Sequence, residues 1–421
     1  MKKRIISIAA LSLLTVAQVA AQNVKIDGEI RSRAEVRDGF QEPLADSLSP
    51  AFVNNLRTRL NFGYTNEKVK AKVSLLDSRT FGKTAIAETG AGVGVLEAWG
   101  EYNFTPAFSF ALGRQGLEYD DKRVFSYNNW SNTPGAHDLL LLKYNAETWQ
   151  VHAGSAYNNA GDVNFEALTP YTLTYKTLNF IRAEKNFGKL SVSALWLNDS
   201  YQSGSATVQT VNNVTTSFRN TVGGNVWITD KKAPFTFLAS GYYQFGHDKT
   251  DKELSAYLLS LTAQQKVGEI VAFQLGGDLY SGSALDIAAD KSNTFNKLYG
   301  SNHAFNGNIE YWRNLPNQGL IDGYVGATAK LFPKFDINAT FHYFATQKEF
   351  KAGEKKSIGS ELDLVANYTV SDQFSLQGGW SAYFVNDGTR ILKKKVDVDT
   401  HFPQWAYLQL TFKPTFLNSK N

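Results

Sequence analysis

The sequence predicts an all-β fold, a transmembrane antiparallel β-barrel of about 18 strands. Three observations predict it. Tight polar turns recur along the chain, the segments beside them alternate apolar with polar residues, and longer irregular stretches separate one turn from the next. The turns fall at Glu67-Lys68, Thr105-Pro106, Ala146-Glu147, Gly188-Lys189, Lys231-Lys232, Gly268-Glu269, Pro333-Lys334 and Ser371-Asp372. Short connections at one end and long ones at the other are the asymmetry of an outer-membrane barrel, with turns in the periplasm and loops outside the cell.

The N-terminus fits this compartment. Lys2, Lys3 and Arg4 precede an apolar run from Ile5 to Val19, and Val19-Ala20-Ala21 offers small residues before Gln22. That order is a cleavable secretory signal over residues 1–21, which leaves 22–421 as a single barrel domain in the outer membrane of a diderm bacterium. No cysteine follows the run, so a lipoprotein anchor is excluded, and with no cysteine anywhere neither disulfides nor thiolate metal sites arise.

The chain holds 43 basic and 39 acidic residues, three of the basic ones within the signal. The mature protein is therefore close to neutral, and net charge gives no support to a nucleic-acid partner. No later segment offers the roughly 18 uninterrupted apolar residues of a spanning helix. Aromatic residues nevertheless make up 13% of the chain, which suits a wall that is greasy outside and wet inside.

Strand by strand, one face is apolar. Val24, Ile26, Ile30, Ala34 and Val36 oppose Lys25, Asp27, Glu29, Arg31, Arg33, Glu35 and Arg37. Next, Leu56, Leu60 and Phe62 oppose Asn55, Arg57, Arg59 and Asn61, and after the first tight turn Val69, Ala71 and Val73 oppose Lys70, Lys72 and Ser74. The pattern returns in Phe235 to Phe245, Phe335 to Tyr343, Leu362 to Tyr368, Leu376 to Phe384 and Ala406 to Phe412. Tyr64, Tyr102, Phe104, Tyr144, Phe187, Phe235 and Tyr368 stand near strand ends, where an aromatic girdle meets lipid headgroups.

With both termini on the short-turn side, eight turns require nine long loops. The candidates run over 38–51, 82–94, 116–136, 157–170, 200–214, 246–253, 281–318, 347–356 and 386–401. Eighteen strands follow, or sixteen if one hairpin is a folded loop. A barrel of that size encloses water unless loops fill it.

Two stretches carry a family resemblance. Gly113-Arg114-Gln115-Gly116-Leu117-Glu118-Tyr119-Asp120-Asp121-Lys122-Arg123, then Trp130 and His137-Asp138, resembles the signature of the alginate export family of outer-membrane porins. Tyr280-Ser281-Gly282, Asn293-Thr294-Phe295-Asn296, Leu298-Tyr299-Gly300, His303 and Phe305-Asn306-Gly307 resemble a late extracellular loop of that family. The resemblance implies an 18-stranded barrel and, for the member that names the family, export of a polyuronate through an electropositive lumen. His137-Asp138-Leu139 departs from the Phe-Asp-Gly of the family pattern, and Asp120-Asp121 replaces Gly-Asp.

The expected function is passive passage of small or oligomeric solutes, anionic ones such as uronates, sugar acids or organic acids, through a partly basic lumen. Arg31, Arg33, Arg57, Arg59, Lys70 and Lys72 form the expected wall, with Arg182 and Arg219 farther round and Arg114 and Arg123 in the family-like stretch. Guanidinium forks bind carboxylates, while Asp27, Glu29, Glu35, Glu361 and Asp363 limit how tightly an anion is held. Trp99 and Tyr242 offer ring faces to sugars. Strict alternation points Arg79 and Arg114 outward, so either a bulge turns them inward or they lie at the rim. Equally, the wall charges could pair with one another and leave a general, unselective porin.

An enzyme is not expected. His137, His152, His247, His303, His342 and His401 are scattered without metal-ligand spacing or a serine-acid constellation, so neither metal nor cofactor is expected. A barrel-embedded hydrolase and a soluble β-rich glycan binder are the rival readings.

Overall fold

A computed structural model of the protein describes residues 22–83, 92–162, 164, 170–204, 214–230 and 232–419. The expected signal, parts of the loops after residues 83, 162 and 204, and Lys231 of the fifth turn lie outside the described residues.

Alternation becomes a cylinder. In chain order the strands are β1 (Asn23–Asp38), β2 (Ala51–Thr65), β3 (Val69–Thr80), β4 (Gly94–Asn103), β5 (Phe108–Gln115) and β6 (His137–Asn145). Then come β7 (Trp149–Tyr157), β8 (Thr177–Asn186), β9 (Leu190–Ser203), β10 (Thr215–Ile228), β11 (Phe235–His247), β12 (Glu253–Val267) and β13 (Val271–Tyr280). After the two-residue β14 (Lys291–Ser292) follow β15 (Leu320–Phe332), β16 (Phe335–Ala345), β17 (Ser357–Ser371), β18 (Phe374–Phe384), the short helix α1 (Asp387–Leu392), β19 (Gln404–Phe412) and β20 (Thr415–Asn418).

Eighteen of these are staves, each antiparallel to its neighbours, and β19 returns to β1 with Ala34 opposite Leu408. β20 resumes that pairing at the start of β1, with Ile26 opposite Leu417, and β14 lies parallel to the start of β12. Closure leaves no unpaired edge, the condition for crossing a hydrocarbon layer with strands. The count is eighteen, and the tight turns all lie at one end, beside the chain termini.

The outward face is apolar: Leu112, Ile181, Trp196, Leu259, Leu275 and Leu408 are exposed there, and Tyr102, Phe104, Tyr144, Phe187, Phe235 and Tyr368 ring the tight-turn end. Several strands are apolar on both faces. In β6, Leu140 and Leu142 point out while Leu139 and Leu141 are buried inside, and β8 and β9 bury Leu178, Phe180, Leu195 and Leu197.

Two loops fold inward to cover those interior side chains. The connection over residues 116–136 brings Leu117, Val124 and Phe125, and that over 281–319 brings Phe295, Ile309, Tyr311 and Trp312, into one buried cluster with the wall. A hydrophobic core thus sits inside the barrel, each fully buried side chain contributing roughly 1.5–3 kcal/mol. The loops also meet each other through a parallel bridge between Phe125 and Tyr299, with Ser126 donating to the Tyr299 carbonyl at 3.0 Å and Tyr299 to that of Val124 at 3.1 Å. Only glycine fits at residue 300, since a Cβ there would stand 2.2 Å from the Arg123 carbonyl oxygen.

Candidate functional site

The inward loops decide what remains of the lumen. Their anchors are side chains of the wall. Gln244 on β11 accepts from the Asn296 amide and donates to the Asn296 carbonyl, both at 2.9 Å, so the side chain pairs as a strand backbone would. Tyr299 donates to Asp199 at 2.6 Å, Tyr119 meets His152 at 2.8 Å, and the Ile309 amide donates to Glu361 at 2.7 Å. Asp120, Lys122, Asn128, Leu298, Asn306 and Glu310 hold positive φ, so six of the nine such non-glycine residues among those described fall in these two loops. Strain of this kind persists only where surrounding contacts over-determine it.

The sequence-predicted basic residues divide into groups. Arg31, Arg33, Arg57 and Arg59 do share the inward face of β1 and β2, but they hold the tip of the first loop. Arg31 donates to the carbonyls of Asn129, Trp130 and Ser131 at 2.8, 2.9 and 3.0 Å and to the Asn132 side chain at 2.9 Å. Arg57 donates to the Asn129 and Ser131 carbonyls, each at 2.8 Å, and pairs with Glu29. Arg59 also reaches Glu29, at 3.2 Å. Arg33 pairs with Glu35 at 3.1 Å and lies 4.3 Å over the Trp130 ring.

Lys70 pairs with Glu101 at 3.1 Å, and Lys72 with Glu97. Arg182 pairs with Asp120 and Glu184, and Arg219 with Asp199 at 2.5 Å. Arg123 is no wall residue at all: it is buried inside the barrel, donating to Asp278 and to the Tyr280 hydroxyl, both at 2.6 Å, beneath Phe305. Burial alone would lower its pKa, but Asp278, Tyr280 and Asp121 together hold it above the ordinary value.

Arg114 corrects the expected wall. It sits opposite Ala98 on the outward face of β5 and pairs at 2.8 Å with Asp138, an exposed neighbour. Arg79 does the same on β3 with Asp77 at 2.7 Å. Both lie at the loop end, where a long cation reaches water beyond the apolar band. The bulge in this region falls instead on β4, where the register shifts opposite Ser74 and Leu75. Of the two ring faces expected in the lumen, Trp99 remains partly open, but Tyr242 is buried and fixed by Asn225 at 2.6 Å.

One open space beside these cations is a cavity of about 690 Å³ between β2–β4 and the loops. Arg59, Asn61, Lys72 and Glu97 line it from the wall, and Glu118, Lys122, Tyr127, Asn128, Asn129, Trp130 and His303 from the loops. Tyr127 donates to Glu97 at 3.0 Å, and burial together with that carboxylate pushes its phenol well above the usual range. Trp130 stacks on His303 with centroids 4.1 Å apart and planes within 6°. A second cavity of about 250 Å³ lies across Asn129, lined by Arg31, Arg57, Gln377, Gln409 and Thr411.

An acidic row stands on another part of the wall: Asp278, Asp322, Glu361 and Asp363, with His342 bonded to Asp322 at 2.8 Å. Asp278 and Asp322 are not among the residues the sequence singles out, although both follow from alternation in β13 and β15. Tyr127 and Asn129 carried no sequence signal beyond lying in a family-like stretch. Among the described residues no group of three or more His, Asp or Glu is arranged to hold a metal ion. Chemically, the site offers fixed cations, moderating carboxylates and aromatic faces in water.

A family model described as alginate export matches residues 22–395. No curated protein matches the chain in sequence. Among solved structures, OccAB4 of Acinetobacter baumannii is similar with a TM-score of 0.63 at 13% identity, over 95% of this chain and 99% of that one. The outer membrane protein opdK of Pseudomonas aeruginosa has a TM-score of 0.61 at 12% identity, over 93% and 99%. OprD of Pseudomonas aeruginosa has one of 0.59 at 13%, over 94% and 96%. At such identities the likeness is one of fold.

Proposed function

The chain belongs to the alginate export family of outer-membrane porins, and from that premise we propose that it passes small or oligomeric anionic solutes, uronates and related sugar acids, by diffusion. One observation carries the reading. Arg59, Lys72 and Lys122 border the 690 Å³ cavity against only Glu97 and Glu118, so that cavity is lined by more cations than anions although the chain is near neutral. Fixed cations in a narrow wet passage lower the entry free energy of a carboxylate, and the nearby acids keep binding weak enough for release. Trp130 and Tyr127 add faces against which a sugar ring lies. In this proposal residues 1–21 are the removed export signal, and no catalytic step is involved.

A general porin is the second reading, favoured by the pairing of Lys72 with Glu97 and Lys122 with Glu118. Planar-bilayer reversal potentials decide between them. The native channel should prefer anions, and Arg59→Ala with Lys72→Ala should reduce that preference. An absence of conductance would end the channel proposal, and a selectivity indifferent to both substitutions would leave the unselective porin.

A further inference from the structure

The tip of the first loop is held to the wall by Arg31 and by one nitrogen of Arg57, Nη1, whose neighbours Nε and Nη2 pair with Glu29. Arg31 is 4% exposed and makes no ion pair among the described residues; its Nε lacks a hydrogen-bond partner, and its remaining donors all go to loop atoms of Asn129 to Asn132. Arg57 is fully buried, and its one carboxylate, Glu29, is shared with Arg59. Asn129 lines both cavities, so the tip is the partition between them.

We propose that Arg31 and Arg57 form a latch that a solute carboxylate opens: the anion takes over the guanidinium donors now spent on the Asn129 and Ser131 carbonyls, the tip shifts, and the two cavities join. This rests on the anionic-solute reading above.

The exchange is favourable on chemical grounds. A carboxylate brings a full negative charge and two oxygens that match the guanidinium fork, neither of which a backbone carbonyl supplies. A ligand shifts an equilibrium only by its differential affinity, and here the competing state leaves Arg31 without a carboxylate in direct contact among the described residues. The tip closes on itself through backbone hydrogen bonds and packs on the wall through Trp130, which meets Trp405 and Tyr407 edge-on. Ser131 donates to the Asn128 carbonyl at 3.0 Å and Gly135 to that of Tyr127 at 3.1 Å, so residues 128–135 can swing without unpacking Phe125. Trp130, stacked on His303, is the pivot.

The protein has no cysteine, so Thr133→Cys gives a single site for a nitroxide label on the exposed shoulder of the tip. In the full refolded barrel, sodium glucuronate should raise label mobility and glucose should not. Arg31→Met should leave the label mobile before any solute is added and unresponsive afterwards. Arg31→Lys, which keeps the charge but loses the fork, should raise the half-saturating glucuronate concentration roughly tenfold. Heat-modifiable gel migration verifies that each variant is a folded barrel. A label that ignores glucuronate in a channel still selective for anions overturns the latch alone, as does one that stays immobile in folded Arg31→Met. A channel without anion preference removes the underlying function instead.

Discussion

Arg123 and Asp278 meet at 2.6 Å inside the barrel, joining the first inward loop to the wall strand β13. Both side chains are almost wholly buried, at 4% and 1% exposure. Removing one partner of such a pair leaves an uncompensated charge, at a cost of about 3–5 kcal/mol. Arg123→Met should lose stability on that scale in guanidinium unfolding. Asp278→Asn should cost less in the Arg123→Met background than alone, and additivity in the double-mutant cycle would show that the two are not coupled.

Phe125 packs 4.9 Å from Phe180 and 5.8 Å from Tyr299, at 1% exposure. Phe125→Ala should destabilise the loop packing by about 3–5 kcal/mol while the strand ladder persists. The expected record is a barrel that still resists unfolding on a gel but conducts in larger, fluctuating steps. A quiet trace of native size would mean that the wall hydrogen bonds alone hold the loops.

Lys297 titrates within reach of ordinary buffers. Burial and then the nearby Arg123 lower its pKa to about 8 from an ordinary 10.5, and its ammonium donates to the Arg313 carbonyl at 3.2 Å. The folded state therefore binds fewer protons than the unfolded state between about pH 8 and 10.5, so stability rises with pH across that window and the full penalty applies below it. Against Lys297→Met, which has no such group, the native protein should gain on the order of 2 kcal/mol between pH 7 and pH 10.5. Parallel stability curves for the two proteins would refute the buried-ammonium account.

Glu97 restrains two groups at the larger cavity, Lys72 and the Tyr127 hydroxyl. Glu97→Gln should release the Lys72 charge into the passage and raise the anion-to-cation permeability ratio, opposite in sign to the loss of Arg59. Reversal potentials in asymmetric salt measure it, and a ratio that falls or stays level would separate Lys72 from selectivity.

The staves and their sidedness were legible in the chain because lipid enforces them. The outward positions of β1, β2 and β3 are apolar or small except toward the loop end, where Asn54, Asp77 and Arg79 stand, so the period of two survives along the lipid-facing length. The tight turns then counted the staves, and Gly113 to Arg123 pointed to the loop that matters. Arg79 and Arg114 broke the alternation at the rim, where lipid no longer enforces it.

What the sequence determined by itself was the barrel: strand number, which face meets lipid, and which end carries the loops, all consequences of a local period read against a uniform solvent. Only the tertiary structure decided what the basic residues do. Whether Arg57 faces water or a backbone carbonyl depends on where Asn129 and Ser131, more than 70 residues away, come to rest. Period two tells which side of the sheet a guanidinium is on. The partner it finds there is set by loop packing around Phe125 and Tyr299, a contact between distant segments that no local pattern encodes.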